Sequence, residues 1–335
     1  MPMMLLALTA LASSSVACAD ADLSVAPAAS PDVTSAAGGS ALRQPEVLAR
    51  GQQYPSRVAA DGQSVYWINA TAHGTVMKVD RVGGDPVVLA RGVRRPKDLA
   101  LSADEVFYTS AEDGTIVRVS KSGGLPIAVA TKQANPSALV VNGGSVYWTS
   151  SATPGAVMTL ATDGHDMPRA LATAEAQPLR LAVDASRVYW VNWLGGSVMH
   201  VDKSGGAPKA LVSGQSNPSD VAIDATHAYW IDDGDHSIRC APLSSRAGGG
   251  ASSVLAAGQD GAWAIAVDAA RVYWTIPGDA PQSGRVVSVS RDGGAPTVLA
   301  SRQHYPRGVA VDATSLYWTN GGDGAESGSV MRLSK

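Results

Sequence analysis

Six histidines, one run of carboxylates and two cysteines are the side chains of this 335-residue sequence with the most chemistry to offer. The histidines are His73, His165, His200, His227, His236 and His304. No G-x-S-x-G, H-E-x-x-H, phosphate-binding loop or Cys/His ligand spacing accompanies them, so neither nucleophilic nor zinc-type catalysis has a motif to stand on. The densest acidic cluster is Asp232-Asp233-Gly234-Asp235-His236. Clustered carboxylates can hold Ca²⁺, which takes about six to eight oxygens. The spacing fits no EF-hand loop, and the cluster reads first as a solvated turn. Ca²⁺ is the one cofactor left open; no other is predicted. Net charge is −3, and no block of Lys or Arg with interleaved aromatics occurs. Nothing therefore draws the chain to nucleic acid or to anionic lipid.

The elements that must position any site come from a repeat. An aromatic pair recurs at Tyr66–Trp67, Phe107–Tyr108, Tyr147–Trp148, Tyr189–Trp190, Tyr229–Trp230, Tyr273–Trp274 and Tyr317–Trp318, in steps of about 40–44 residues. Each unit reads as four short strands, a to d, separated by turn signals. In the last unit strand a is read at Val309–Val311, b at Ser315–Thr319 and c at Ser329–Leu333. Strand a alternates bulky and small residues, as in Leu181-Ala182-Val183 and Val309-Ala310-Val311. That taper suits the innermost strand of a ring. Asp184, Asp224, Asp268 and Asp312 close strand a, where an Asp side chain bonds backbone two residues on. Gly83–Gly84, Gly123–Gly124, Gly205–Gly206 and Gly293–Gly294 supply the turns between strands c and d. Because these Asp and Gly residues recur in register, they read as turn chemistry rather than ligands.

YWIN (66–69), YWTS (147–150), YWVN (189–192), YWID (229–232) and YWTN (317–320) resemble YWTD-repeat β-propellers, and the PxxVAVD lead-in is similar to the first strand of NHL-type repeats. The resemblance spans residues 44–335 and implies an all-β propeller used more often for binding or scaffolding than for catalysis. Such propellers usually have six blades, whereas seven units are counted here. The fourth motif position is Asp only at Asp232. A single GGDG run, Gly321–Gly324, is similar to one unit of Ca²⁺-binding glycine repeats.

In a four-stranded up-and-down blade, the loops before strand a and after strand b emerge on one face, around the central channel. The slot before strand a reads Arg57, Asp98, Ala138, Arg180, Asp220, Ala264 and Gly308 around the ring. The preceding slot reads Ser56, Lys97, Ser137, Leu179, Ser219, Trp263 and Arg307. Trp193 follows strand b of the fourth unit, and His304 precedes strand a of the last. Aromatic and Arg side chains on a rim are the composition of a recognition surface. The candidate binding residues are therefore Arg57, Asp98, Arg180, Trp193, Asp220, Trp263, His304 and Arg307. The competing reading is that the charges merely neutralise one another across the channel. The partner read from this face is a protein, peptide or glycan; the alternatives are a metal-dependent lyase or hydrolase at the channel mouth and a sensor or scaffold in an envelope assembly.

Residues 1–19 read as an export signal, with an apolar run at Leu5–Ala12 too short to span a bilayer. Ser15-Val16-Ala17-Cys18 resembles a bacterial lipoprotein box with Cys18 lipidated, while Ala17-Cys18-Ala19 also satisfies ordinary signal cleavage before Asp20. The expected location is the bacterial cell envelope, as an outer-membrane lipoprotein or in the periplasm, with secretion as the alternative. Membrane contact is expected only through that N-terminal lipid. A lipidated Cys18 leaves Cys240 alone, so no intramolecular disulfide is expected. Residues 20–43 are rich in Ala, Ser, Pro and Gly and read as a disordered spacer, with a coil reach of roughly 25–30 Å. Residues 44–335 read as one propeller domain. PEVLAR (45–50) is a strand d with no unit before it, and the chain stops after a strand c. The first strand is thus expected to complete the last blade and close the ring, protecting edges that would otherwise invite aggregation.

Overall fold

In the computed structural model, residues 44–244 and 250–335 are described. They form 28 strands in seven four-stranded antiparallel sheets, and no helix occurs among them. The protein is a seven-bladed β-propeller. The blades start at strands a Pro55–Ala60, Pro96–Leu101, Pro136–Asn142, Pro178–Val183, Pro218–Ile223, Ala264–Val267 and Pro306–Val311. The seventh sheet runs Pro306–Val311, Ser315–Asn320, Gly328–Ser334 and then Glu46–Gln52, so the first strand of the chain is the outer strand of the last blade. Glu46 faces Arg332 and Gln52 faces Gly328 across that ladder. The signal, the Cys18 lipid site and the 20–43 spacer lie outside the described residues.

The aromatic pair explains why the blades stack. Consecutive strand residues point to opposite faces, so one aromatic of each pair meets the next blade and the other meets the preceding one. The core is accordingly split into seven clusters, one per blade junction. Tyr317 of blade 7 packs with Trp67 of blade 1, Tyr273 with Trp318, and Phe107 with Trp148. Six tryptophans, Trp67, Trp148, Trp190, Trp230, Trp274 and Trp318, are fully buried in this way. At about 1.5–3 kcal/mol or more for each large side chain, this repeated burial is the main source of cohesion between blades.

Each buried indole must also satisfy its N–H. Trp67 Nε1 donates to Gln52 Oε1 at 3.0 Å, and Asn69 Nδ2 donates to the same oxygen at 3.1 Å. Trp318 and Asn320 clasp Gln303 in the same manner, at 3.0 and 3.1 Å. Trp190 and Asn192 instead donate to the Glu175 carboxylate, at 2.9 and 2.6 Å. The clasped residue stands at the end of strand d of the preceding blade or just after it, fifteen residues before the Trp, so the contact ties neighbours together.

The turn reading of the strand-a Asp residues holds and is incomplete. Asp61 accepts from the Gln63 and Ser64 backbone N–H groups at 2.9 and 2.8 Å, and from Tyr66 Oη at 3.2 Å. It also takes a 2.8 Å ion pair from Lys121, the residue after strand c of the next blade. Arg291 reaches Asp224 at 2.8 Å and Lys335 reaches Asp268 at 2.6 Å in the same way. These latches line the face opposite the channel mouth.

One expectation needs correction. Strand a begins about three residues earlier than read, so Arg57, Asp98, Arg180 and Asp220 sit within it rather than in the loop before it. The reason is that the leading Pro residues pair with strand b, as Pro55 does with Asn69 across a bulge. The expectation of no intramolecular disulfide turns on Cys18, which lies outside the described residues; Cys240 itself is fully buried opposite Tyr229.

Candidate ligand site at the channel mouth

Strand a of each blade runs along the channel, and its third residue reaches the mouth. A buried Thr on strand b fixes that end. Thr109 Oγ1 accepts from the Asp98 N–H at 3.0 Å, and Thr149 Oγ1 accepts from Ala138 N at 3.0 Å while donating to Leu179 O of the next blade at 3.1 Å. Blade 7 carries Gly308 in the third position because a Cβ there would lie 2.7 Å from Ser56 O and 2.8 Å from Arg57 Cα. The closing seam is that tight.

The four charged third-position residues pair across the channel. Arg57 of blade 1 reaches Asp220 of blade 5 at 3.4 Å, and Arg180 of blade 4 reaches Asp98 of blade 2 at 3.0 Å. Each carboxylate is also spent on backbone. Asp98 accepts from Leu99 N and, on the next blade, Leu139 N, both at 3.0 Å. Asp220 accepts from Val221 N at 2.9 Å and from Ile265 N of the next blade at 3.3 Å. Burial, and then the like charge of Arg57, pull the Arg180 guanidinium below its ordinary pKa. Mutual neutralisation is therefore real, and the two acids are staples between blades.

It does not exhaust the site. Arg57, Arg180, Trp193 and Trp263 line one cavity of about 320 Å³ together with Ser137, Leu179, Ser219 and Asp233. Trp263 is 46% exposed. Four of the eight candidate residues are thus brought together, and Asp98 and Asp220 stand behind two of them. Arg307 does not line the cavity but backs its wall, its guanidinium stacked on Trp263 at 5.1 Å, while His304 is elsewhere, its Nε2 facing Asp323 at 3.3 Å. Asp233 was missed. It belongs to the acidic run read as a turn, but its carboxylate accepts from Ser219 Oγ at 2.9 Å on the cavity wall. Burial pushes the Asp233 carboxyl up in pKa. Its position directly after strand b, equivalent to Trp193, was the available signal.

The carboxylates of the acidic run diverge. Asp232 accepts from Ser216 N at 3.2 Å, and Asp235 pairs with Arg239 at 2.9 Å. Among the described residues no group of three or more His, Cys, Asp or Glu comes together. His200 is buried against Tyr189 on strand c, and burial, then Arg187, lower its pKa. No helix of the described residues is long and apolar enough to cross a membrane.

No family model matches the sequence, and no curated protein matches it. Solved structures do resemble it. A virginiamycin B lyase from Staphylococcus aureus is 13% identical, with a TM-score of 0.71 over 87% of this chain and 98% of that one. A streptogramin B lyase is 12% identical, with a TM-score of 0.69 over the same shares. Nidogen, solved in a nidogen/laminin complex, is 22% identical over 58% of this chain and 78% of that one, with a TM-score of 0.52. At these identities the likeness is one of fold: the chain is a propeller.

Proposed function

We propose that the protein is a non-catalytic binding propeller that takes a protein, peptide or glycan partner over its channel mouth. The observation that carries this is the convergence of Arg57 of blade 1, Arg180 and Trp193 of blade 4 and Trp263 of blade 6 on one cavity. Tryptophan and arginine dominate the energetics of recognition surfaces because they bring large area and several donors at modest entropy cost. Nidogen, a similar propeller, is solved in complex with laminin. In this reading the chain is exported and held to the cell envelope through lipid on Cys18. The test is quantitative capture from envelope extracts with the native protein and with Trp193→Ala/Trp263→Ala. Partners should be lost from the double variant while its melting temperature is kept; equal recovery would sink the reading.

A second reading, a lyase or hydrolase at the same mouth, draws on the fold shared with the virginiamycin B lyase. Asp233 is the nearest candidate base. Turnover abolished by Asp233→Asn, with partner capture unaffected by the tryptophan variant, would favour it.

A further inference from the structure

The hydrogen-bond ledger of the mouth is lopsided. Asp98 and Asp220 each already accept from two backbone N–H groups and one guanidinium. Their acceptor capacity is directed into the wall. The guanidiniums are not used up: Arg57 and Arg180 each give one Nη1 donor to those acids, out of five N–H donors apiece. Neither leaves a guanidinium nitrogen buried and unpartnered, and both side chains line the cavity. Walls of Trp193, Trp263 and Leu179 flank them. Asp233, bonded to Ser219 Oγ at 2.9 Å, is the one acid on the lining.

From this we infer that the cavity takes the carboxylate of an N-acylated aromatic amino acid, free or as the C-terminal residue of a peptide. The carboxylate meets the spare donors of Arg57 and Arg180, the charge-assisted partners a carboxylate favours. The aromatic side chain lies against the tryptophans. The amide N–H is the donor that Asp233 suits. A cavity of about 320 Å³ is at the small end of the range for ligand sites, roughly 300–1,000 Å³, and so fits one such residue. The inference rests on the binding reading above and narrows it to a ligand class.

Trp193 and Trp263 are the tryptophans outside the fully buried set of six, so they give a built-in readout. Iodide quenching of tryptophan fluorescence, with titration calorimetry, is measured with N-acetylphenylalanine and with its primary amide. The acid should bind about tenfold or more tighter than the amide, the factor one charge-assisted hydrogen bond supplies. It should protect the two tryptophans, and its affinity should fall as salt is raised. Equal affinity of acid and amide overturns the carboxylate class while leaving a binding mouth intact. Binding of neither overturns the proposal, and partner capture then judges the broader reading separately. A tetrapeptide ending in phenylalanine distinguishes the sources: binding at least as tight as the acetyl amino acid identifies a peptide terminus, and weaker binding a free small acid. Arg180→Gln should abolish the preference for acid over amide; since native protein carries the main comparison, misfolding of this variant leaves the test standing.

Discussion

Removing Gln44–Gln52 takes the outer strand from blade 7, the strand that joins the two ends of the wheel. Leu48 and Ala49 are buried in the cluster that joins blade 7 to blade 1, beside Trp67 and Tyr317. Burial of Leu48 is worth about 2–3 kcal/mol, with about 1 kcal/mol more from its smaller neighbours. Loss of Gln52 leaves the Trp67 indole N–H and the Asn69 amide without the acceptor they share, at about 1–3 kcal/mol. The ladder to Gly328–Ser334 and the Arg332–Glu46 ion pair at 2.5 Å go as well. The total is about 6–10 kcal/mol, comparable with the whole stability of an ordinary domain. The truncated chain should therefore fail to melt cooperatively and should aggregate through the bared edge of Gly328–Ser334. Removing residues 20–43 should leave the melting temperature within about 2 °C, the shift a few tenths of a kcal/mol produces. A graded version is Leu48→Ala, expected to cost ~2–4 kcal/mol and to lower the melting temperature by roughly 5–10 °C. Calorimetry and light scattering on the three chains read the outcome. Equal melting of the two truncations would refute the closure argument.

The remaining predictions concern single contacts. Gln303→Ala should destabilise by about 1–3 kcal/mol in denaturant titration, because the Trp318 and Asn320 donors lose their acceptor; Gln303→Glu should keep most of that stability, since Glu175 already fills the equivalent place. Asp61 and Asp268 sit at about 2: burial alone would raise them, but Lys121 or Lys335 together with backbone N–H groups holds them down. Their folded values lie below the unfolded one, so their contribution is complete above about pH 4 and is lost as pH falls towards about 2. It should amount to about 1 kcal/mol each after solvent screening, and Lys121→Gln should flatten that part of the stability–pH curve. Asp220→Asn should weaken the junction of blades 5 and 6 through the Ile265 contact and leave Arg57 unpaired, costing about 2–4 kcal/mol in urea unfolding.

Blade number, the strand pattern and the closing strand were legible because each is written in register at a constant period. Contacts between blades were harder to see. The clasped Gln or Glu stands fifteen residues before its Trp at Gln52, Glu175, Gln215, Gln259 and Gln303. As a sequence feature it marks only where a unit starts; its partner becomes evident once strand d of one blade is set against strand b of the next. The latches have the same logic. Asp61, Asp224 and Asp268 are answered by Lys121, Arg291 and Lys335, one unit further on. Blade 2, with Ser102 in the Asp slot, has Phe107 in place of Tyr, so hydroxyl and carboxylate are lost together. Trp148 shows the limit of such spacing rules. Gln133 stands fifteen residues before it and bonds Thr131 O just as Gln52 bonds Arg50 O and Gln303 bonds Ser301 O, yet the Trp148 N–H stays unpaired.

The mouth was legible as a place but not as a partition of roles, and the cause is geometric. Residues in one slot of a repeat are equivalent only until the ring closes and sets them across from one another. Arg57 and Arg180 then find Asp220 and Asp98 on blades far away in the chain, at distances no periodicity encodes. Blades 3, 6 and 7 put Ala138, Ala264 and Gly308 in that slot, and at Gly308 backbone atoms of blade 1 already fill the place of a side chain. Charge in that slot is thereby confined to four blades and arranged as two pairs, blade 1 with blade 5 and blade 2 with blade 4. Because the acids are committed to their neighbours' backbones, the wheel is stapled by its anions and offers its cations. On the reading proposed above, a ligand that enters meets the Arg57 and Arg180 donors with Asp233 beside them, so local acceptor chemistry, rather than the protein's net negative charge, decides what the mouth can hold.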